Sequence, residues 1–139
     1  MNNIEKKMLE ILKAARDYGV VAVKAEFEAE GTRSDEFLRL LELARRADLG
    51  VALKIGGCEA VRDLIEARTF GVDYIIAPMV ETPYALTKYV AAKNKVYPMD
   101  EQSDMRFLFN LETQTSFENL DGLGEEAQKG GAGFVFGRV

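Results

Sequence analysis

Histidine is missing from this sequence altogether. That excludes a Ser-His-Asp triad and a Cys-His dyad. With a single cysteine in the chain, it also leaves too few ligands for a zinc site. Any metal here would be held by carboxylates and carbonyls, which favours Mg²⁺ or Mn²⁺. Tryptophan is missing too. The one cysteine, Cys58, excludes an intramolecular disulfide and fits a cytoplasmic protein. With no histidine to activate it, it reads as a small packed residue. Long hydrophobic runs are also lacking, none approaching the roughly 18 residues that span a bilayer. The opening Met1-Asn-Asn-Ile-Glu-Lys-Lys7 starts an amphipathic segment and is no secretory signal, so no membrane partner is expected. Nor is there an excess of positive charge. Lys and Arg number 18 against 23 Asp and Glu, for a net charge of -5, which argues against a general nucleic-acid surface.

What is present is the composition of a soluble globular protein, 47% hydrophobic and 29% charged. A length of 139 residues allows one domain with a proper core. No linker or low-complexity stretch divides it, so residues 1–139 are read as one domain. Apolar residues at Ile4, Met8, Ile11, Leu12 and Ala15 have the spacing of an amphipathic helix over about residues 1–18, closed by Gly19. Val20 to Val23 is a β-branched strand running on towards Phe27, and residues 28–33 form a polar loop. Ser34 is the expected N-cap of a helix carrying Phe37, Leu40, Leu41 and Ala44. Val51 to Ile55 is a second strand, broken by Gly56-Gly57, and residues 59–70 are helical up to Gly71. Asp73 to Ala77 is a third strand, stopped by Pro78. Thr82 caps a helix that starts at Pro83, the favoured first-turn position for proline. Residues 93–105 read as polar and irregular. A fourth strand runs from Phe107 to Leu111, residues 116–128 hold one or two helical turns, and Gly133 to Val139 is a terminal strand.

Strands that alternate with helices imply parallel β/α units. Their continuous apolar runs imply strands covered on both faces. Five parallel strands fit either an open doubly wound sheet or part of a (β/α)8 barrel. A full barrel takes about 200 residues or more. The expectation is therefore an α/β fold that is a partial TIM barrel of about five parallel strands, with the helix over 1–18 followed by β/α units over 19–139.

In parallel α/β folds the chemistry gathers at the C-terminal ends of the strands. Those ends carry Lys24, Glu26 and Glu28 after the first strand, and Lys54 and Gly56-Gly57 after the second. The third offers Pro78, Met79 and Glu81, the fourth Asn110 and Glu112, the last Gly137 and Arg138. Glu112 and Lys54 each sit close to an otherwise apolar run, and so stand out from ordinary solvated strand ends. A lysine there can act as a Schiff-base nucleophile if desolvated, or clamp an anionic carboxylate or phosphate. The glycine pair ahead of a helix can present backbone N–H groups to an anion, or serve as a plain strand-to-helix turn.

Four strings in order, Leu53-Lys-Ile-Gly-Gly-Cys-Glu-Ala60, Gly71-Val-Asp-Tyr-Ile-Ile-Ala-Pro-Met-Val-Glu-Thr82, Phe109-Asn-Leu-Glu-Thr113 and Val135-Phe-Gly-Arg-Val139, resemble the aldolase/citrate lyase family. The metal-dependent, HpcH/HpaI-like pyruvate aldolases are the nearest type. The resemblance runs from about Gly19 onward. It implies a (β/α)8 barrel that makes or breaks C–C bonds next to a 2-oxo acid or an acyl thioester, with the enolate stabilised on Mg²⁺ or Mn²⁺. It implies that Glu112 is the first metal-binding carboxylate. Lys54 stands where many members place an arginine that binds the oxo-acid oxygens, and Asn110 where a glutamine is common near the substrate. Gly56, Gly57, Pro78, Met79 and Glu81 would line the substrate pocket. Glu26 and Glu28 lie near the place of an acidic residue paired with a basic histidine.

Three departures accompany the likeness. No histidine supplies the base. Lysine in place of arginine loses the planar bidentate fork. The family's second metal carboxylate belongs to the segment after the final strand, where this sequence stops. The expectation is thus a lyase acting on a small 2-oxo acid or acyl thioester, truncated and inactive alone. The alternative is a non-catalytic half-barrel that binds or assembles. An open parallel sheet with bare edges further implies a homo-oligomer.

Overall fold

A computed structural model describes residues 1–137. Arg138 and Val139, the end of the expected terminal strand, lie outside the described residues. The chain runs α1 (Asn3–Arg16), β1 (Ala22–Glu26), α2 (Ser34–Arg46), β2 (Gly50–Lys54), α3 (Val61–Phe70), β3 (Tyr74–Ala77), α4 (Pro83–Val96), α5 (Met99–Gln102), β4 (Arg106–Leu111), α6 (Gln114–Glu118), α7 (Leu120–Gly130) and β5 (Gly133–Phe136). Among the described residues no helix is long and apolar enough to cross a membrane.

The strands form one parallel sheet in the order β1-β2-β3-β4-β5. That order decides between the two architectures the sequence leaves open. A doubly wound sheet reverses direction once, which sends its helices to both faces. A sheet that advances one strand at a time with right-handed crossovers keeps every crossover helix on the same side. Accordingly, one parity of strand residues (Ala25, Val51, Leu53, Ile75, Ala77, Phe107, Phe109 and Leu111) joins the core with Phe37, Leu64, Leu86, Tyr89 and Leu123 of the helices. The sheet is not closed; β1 and β5 are its two edges. The expectation of strands covered on both faces is corrected here. The helices cover one face, and the other carries Lys24, Glu26, Lys54, Tyr74, Leu108 and Asn110 around the apolar Ala52 and Ile76, which are buried. Side chains alternate along a strand, so one face could be wholly apolar while the other was not.

Local signals explain most boundaries. Thr82 Oγ1 accepts from the Ala85 N–H at 3.1 Å, and Pro83 opens α4 as expected. Gly71 ends α3 with φ 71°, a left-handed position that suits glycine. Ser34 is not the cap of α2. It is already helical, Arg33 holds the capping position, and the Glu36 carboxylate accepts from the Arg33 N–H at 3.1 Å. The irregular stretch expected at 93–105 is also corrected. α4 continues to Val96, buried together with the helix's cap residue Tyr97, and the short α5 follows with no buried residue of its own. Helix α7 runs 11 residues where one or two turns were expected. Its glycines depress helix propensity but permit close packing on α4. A Cβ on Gly122 would meet Pro83 Cγ at 2.7 Å, and one on Gly130 would collide with Val90. Lys93 is buried on α4 and donates to the Gly130 carbonyl at 2.6 Å. It thereby caps the C-terminus of α7. Burial lowers its pKa.

Candidate functional site

Parallel strands bring all five C-terminal ends to one rim. There a cleft of about 590 Å³ is lined by Glu28, Lys54, Gly56, Pro78, Met79 and Glu112, with Ala29, Ile55 and Thr113 between them. Its size is that of a small-molecule site.

Glu112 follows β4 directly, on the side of the strand that carries Asn110. Both carboxylate oxygens have donors. Oε1 accepts from the Met79 N–H at 2.9 Å, and Oε2 accepts from Asn110 Nδ2 at 3.1 Å. Asn110 is buried, so the pair holds the carboxylate at a defined place. Each carboxylate oxygen keeps a second lone pair. Met79 delivers its N–H from a left-handed backbone, φ 46°, unusual for a residue with a side chain. Gly137 approaches from β5. A Cβ there would lie 2.9 Å from Glu112 Cβ and 3.1 Å from Oε2, so only glycine leaves the carboxylate its room.

Two strands away, the parallel register sets Glu26 opposite Lys54. Lys54 Nζ donates to Glu26 Oε2 at 3.0 Å, and Lys24 Nζ lies 2.6 Å from Oε1. The Lys24 hydrogen bond, and then that of Lys54, holds the Glu26 carboxyl below its ordinary pKa against the opposing effect of burial. Lys54 is thus an ammonium ion already paired, with two of its three donors left over. Between Lys54 and Glu112 lies only β3, a separation of roughly 10 Å at two strand spacings. At the mouth of β2 the Gly56 N–H donates to Asp63 Oδ2 at 2.7 Å, so this N–H is engaged by α3. A Cβ on Gly56 would sit 2.6 Å from Glu28 Cγ.

The structure therefore brings together Lys54, Gly56, Pro78, Met79 and Glu112 on the cleft, with Asn110 behind Glu112. It does not bring Gly57 or Glu81 into the lining. The Glu81 carbonyl instead accepts from Asn119 Nδ2 at 3.1 Å, which ties the β3 loop to the end of α6. Glu28 and Thr113 are part of the wall. Thr113 was hidden in the sequence by its second task, capping α6 through a 3.2 Å bond from the Ser116 N–H. Cys58 lies outside this wall, half-buried, and burial pushes its thiol pKa up.

Glu112 fits the first carboxylate of an oxygen-ligand metal site. Among the described residues, however, no group of three His, Cys, Asp or Glu side chains is placed to hold a metal ion. The carboxylates on the cleft wall are Glu112 and Glu28, and a full coordination shell would also need oxygens from substrate and water.

No family model matches the sequence, and no curated protein does. Solved structures do match. An HpcH/HpaI aldolase from Desulfitobacterium hafniense DCB-2 superposes with a TM-score of 0.70 at 14% identity, over 93% of this chain and 57% of that one. An HpcH/HpaI aldolase/citrate lyase family protein from Burkholderia cenocepacia J2315 gives 0.63 at 13% identity, over 83% and 55%. The citrate synthase SbnG gives 0.59 at 14%, over 91% and 71%. This chain thus spans little more than half the length of the first two. At such identities the likeness is one of fold: the chain has five consecutive β/α strands of a (β/α)8 barrel, of the kind seen in HpcH/HpaI aldolase/citrate lyase structures.

Proposed function

We propose that the strand-end cleft is the substrate-binding part of a C–C lyase acting on a 2-oxo acid or an acyl thioester, assisted by Mg²⁺ or Mn²⁺. The observation that carries this reading is the fixed carboxylate of Glu112 facing a lysine across one strand, at the rim where parallel barrels do their chemistry. Charge supports the metal. Three carboxylates (Glu26, Glu28, Glu112) stand against two ammonium groups (Lys24, Lys54) around the cleft. An anionic substrate entering alone meets net negative charge, and a divalent cation reverses the balance. Bound through Glu112 and the substrate's oxygens, that cation would supply Lewis-acid stabilisation of charge on the oxo-acid oxygen. Lys54 directs its two spare donors at the substrate carboxylate or carbonyl, while Glu26 holds it in place. Asn110 and the Met79 N–H keep Glu112 oriented. Pro78 and Met79 supply an apolar side to the cleft. The resemblance puts a second acidic ligand in the segment after the final strand, so catalysis belongs to a completed barrel.

The test is metal-dependent release of pyruvate from a 4-hydroxy-2-oxo acid. Activity that needs Mg²⁺ or Mn²⁺ and disappears in Glu112→Gln supports the reading. Metal-independent turnover, or full activity in that variant, would sink it.

A second reading has an observation of its own. The want of a three-ligand metal group among the described residues and the already paired Lys54 also fit a half-barrel that binds a small anion or assembles without turnover. Binding of pyruvate that needs Lys54 but is indifferent to metal would favour it.

A further inference from the structure

The two open edges of the sheet are unlike each other and complementary. At the β5 edge, Phe134 and Phe136 project on the helix-covered side, beside Phe109 and Phe117. Among the described residues no crossover helix covers them. They are 61% and 70% exposed, and Phe117 and Leu120 extend the patch. At the β1 edge, α1 packs on α2 through Leu9, Leu12 and the Glu5–Arg39 ion pair. About a quarter turn round the helix, Ile4, Met8 and Ile11 form a second apolar stripe, and all three are exposed. Among the described residues, one edge is therefore a strand with no crossover helix over it, and the other is a helix with apolar surface to spare ahead of a strand.

We propose that two copies of this chain associate head to tail, the β1 edge and α1 of one copy seating against the β5 edge of the other. All strands are parallel, so the incoming β1 extends the sheet in its own direction. The incoming α1 then takes the position of a crossover helix between β5 and β1 and covers Phe134 and Phe136. The free N–H and C=O groups of both edge strands become paired. Such a contact uses different surfaces on the two copies, which distinguishes it from a self-complementary dimer. It also supplies further strand ends beyond β5, two strands from that of Glu112, on the rim of the proposed lyase site on which this inference rests.

The experiment uses Ile11→Asp and Phe136→Asp, both at exposed positions, each checked for unchanged far-UV circular dichroism. Ile4→Asp and Phe134→Asp provide a second pair on the same two faces should either fail to fold. In sedimentation velocity at about 100 µM, the wild-type chain is expected as a dimer or larger, and each variant alone as a monomer, its association weakened at least about tenfold. An equal mixture of the two variants is expected to restore a dimer that goes no further, since each contributes the one face it retains. A monomeric wild-type chain, variants that still associate alone, or a mixture that stays monomeric would each overturn the proposal. This readout involves neither metal nor turnover, so it fails or succeeds independently of the lyase reading.

Discussion

The two faces of the sheet are made by the same five strands, yet one is wholly apolar at its centre and the other is mixed. Towards the helices, β2, β3 and β4 present Val51, Leu53, Ile75, Ala77, Phe107, Phe109 and Leu111, all buried and all apolar. Towards the open side the same strands, with β1, mix apolar Ala52, Ile76 and Leu108 with Lys24, Glu26, Lys54 and Asn110, and the polar atoms of those four are paired with one another or with Glu112. The helix-facing side is where burial of apolar area is won. The open side keeps polar groups near the rim and holds them by hydrogen bonds, as a site must when its first task is orientation.

That contrast can be broken in order of expected effect. Phe109→Ala removes a fully buried ring from the helix-facing side. It should cost about 3–5 kcal/mol of unfolding free energy, against about 1 kcal/mol for Leu108→Ala on the open side. Paired urea melts measure both, and equal costs would erase the distinction. Next, Glu26→Gln strands Lys54 and Lys24 without their carboxylate and should cost on the order of 2 kcal/mol at neutral pH. The pKa of Glu26 is lowered by folding. Its contribution is therefore fully present above the ordinary glutamate pKa and is lost as pH falls through the lowered folded value. The wild-type chain should lose stability below about pH 4.5, and Glu26→Gln should flatten that acid limb of a melting-temperature profile. Gly137→Ala should cost about 1 kcal/mol or less, yet displace the Glu112 carboxylate and weaken metal binding. A thermal melt combined with a Mn²⁺ titration separates the two effects. Smallest of all, Met79→Gly relieves a left-handed backbone and should leave stability unchanged or raised by about 0.5–1 kcal/mol. A clear loss would show that the Met79 side chain does more than cover the cleft.

Much of the fold is legible in the sequence because its signals are local. Gly71, the Thr82-Pro83 start and the apolar runs of β2, β3 and β4 each mark a boundary within a residue or two. The layer arrangement is not legible in the same way. An uninterrupted apolar run reads as doubly buried, and only the parity of its interruptions, Lys24 and Glu26 in β1 and Asn110 in β4, betrays an open face. Helix α7 was obscured by its glycines, whose reason is the nearness of Pro83 and Val90, far earlier in the sequence. The strand-end carboxylate and lysine could be found by position alone. That Lys54 arrives paired with Glu26, that Met79 turns its N–H to Glu112, and that Glu81 and Gly57 stay out of the cleft all depend on register and loop geometry between distant segments.

The most direct measurement is Mn²⁺ binding followed by electron paramagnetic resonance, with and without pyruvate, in the wild-type chain and in Glu112→Gln. A single incomplete site predicts weak binding, with a Kd in about the millimolar range. That binding should tighten when pyruvate is added and disappear in Glu112→Gln. Mn²⁺ binding that ignores pyruvate, or that persists unchanged in the variant, would contradict a metal-assisted oxo-acid site at the strand ends.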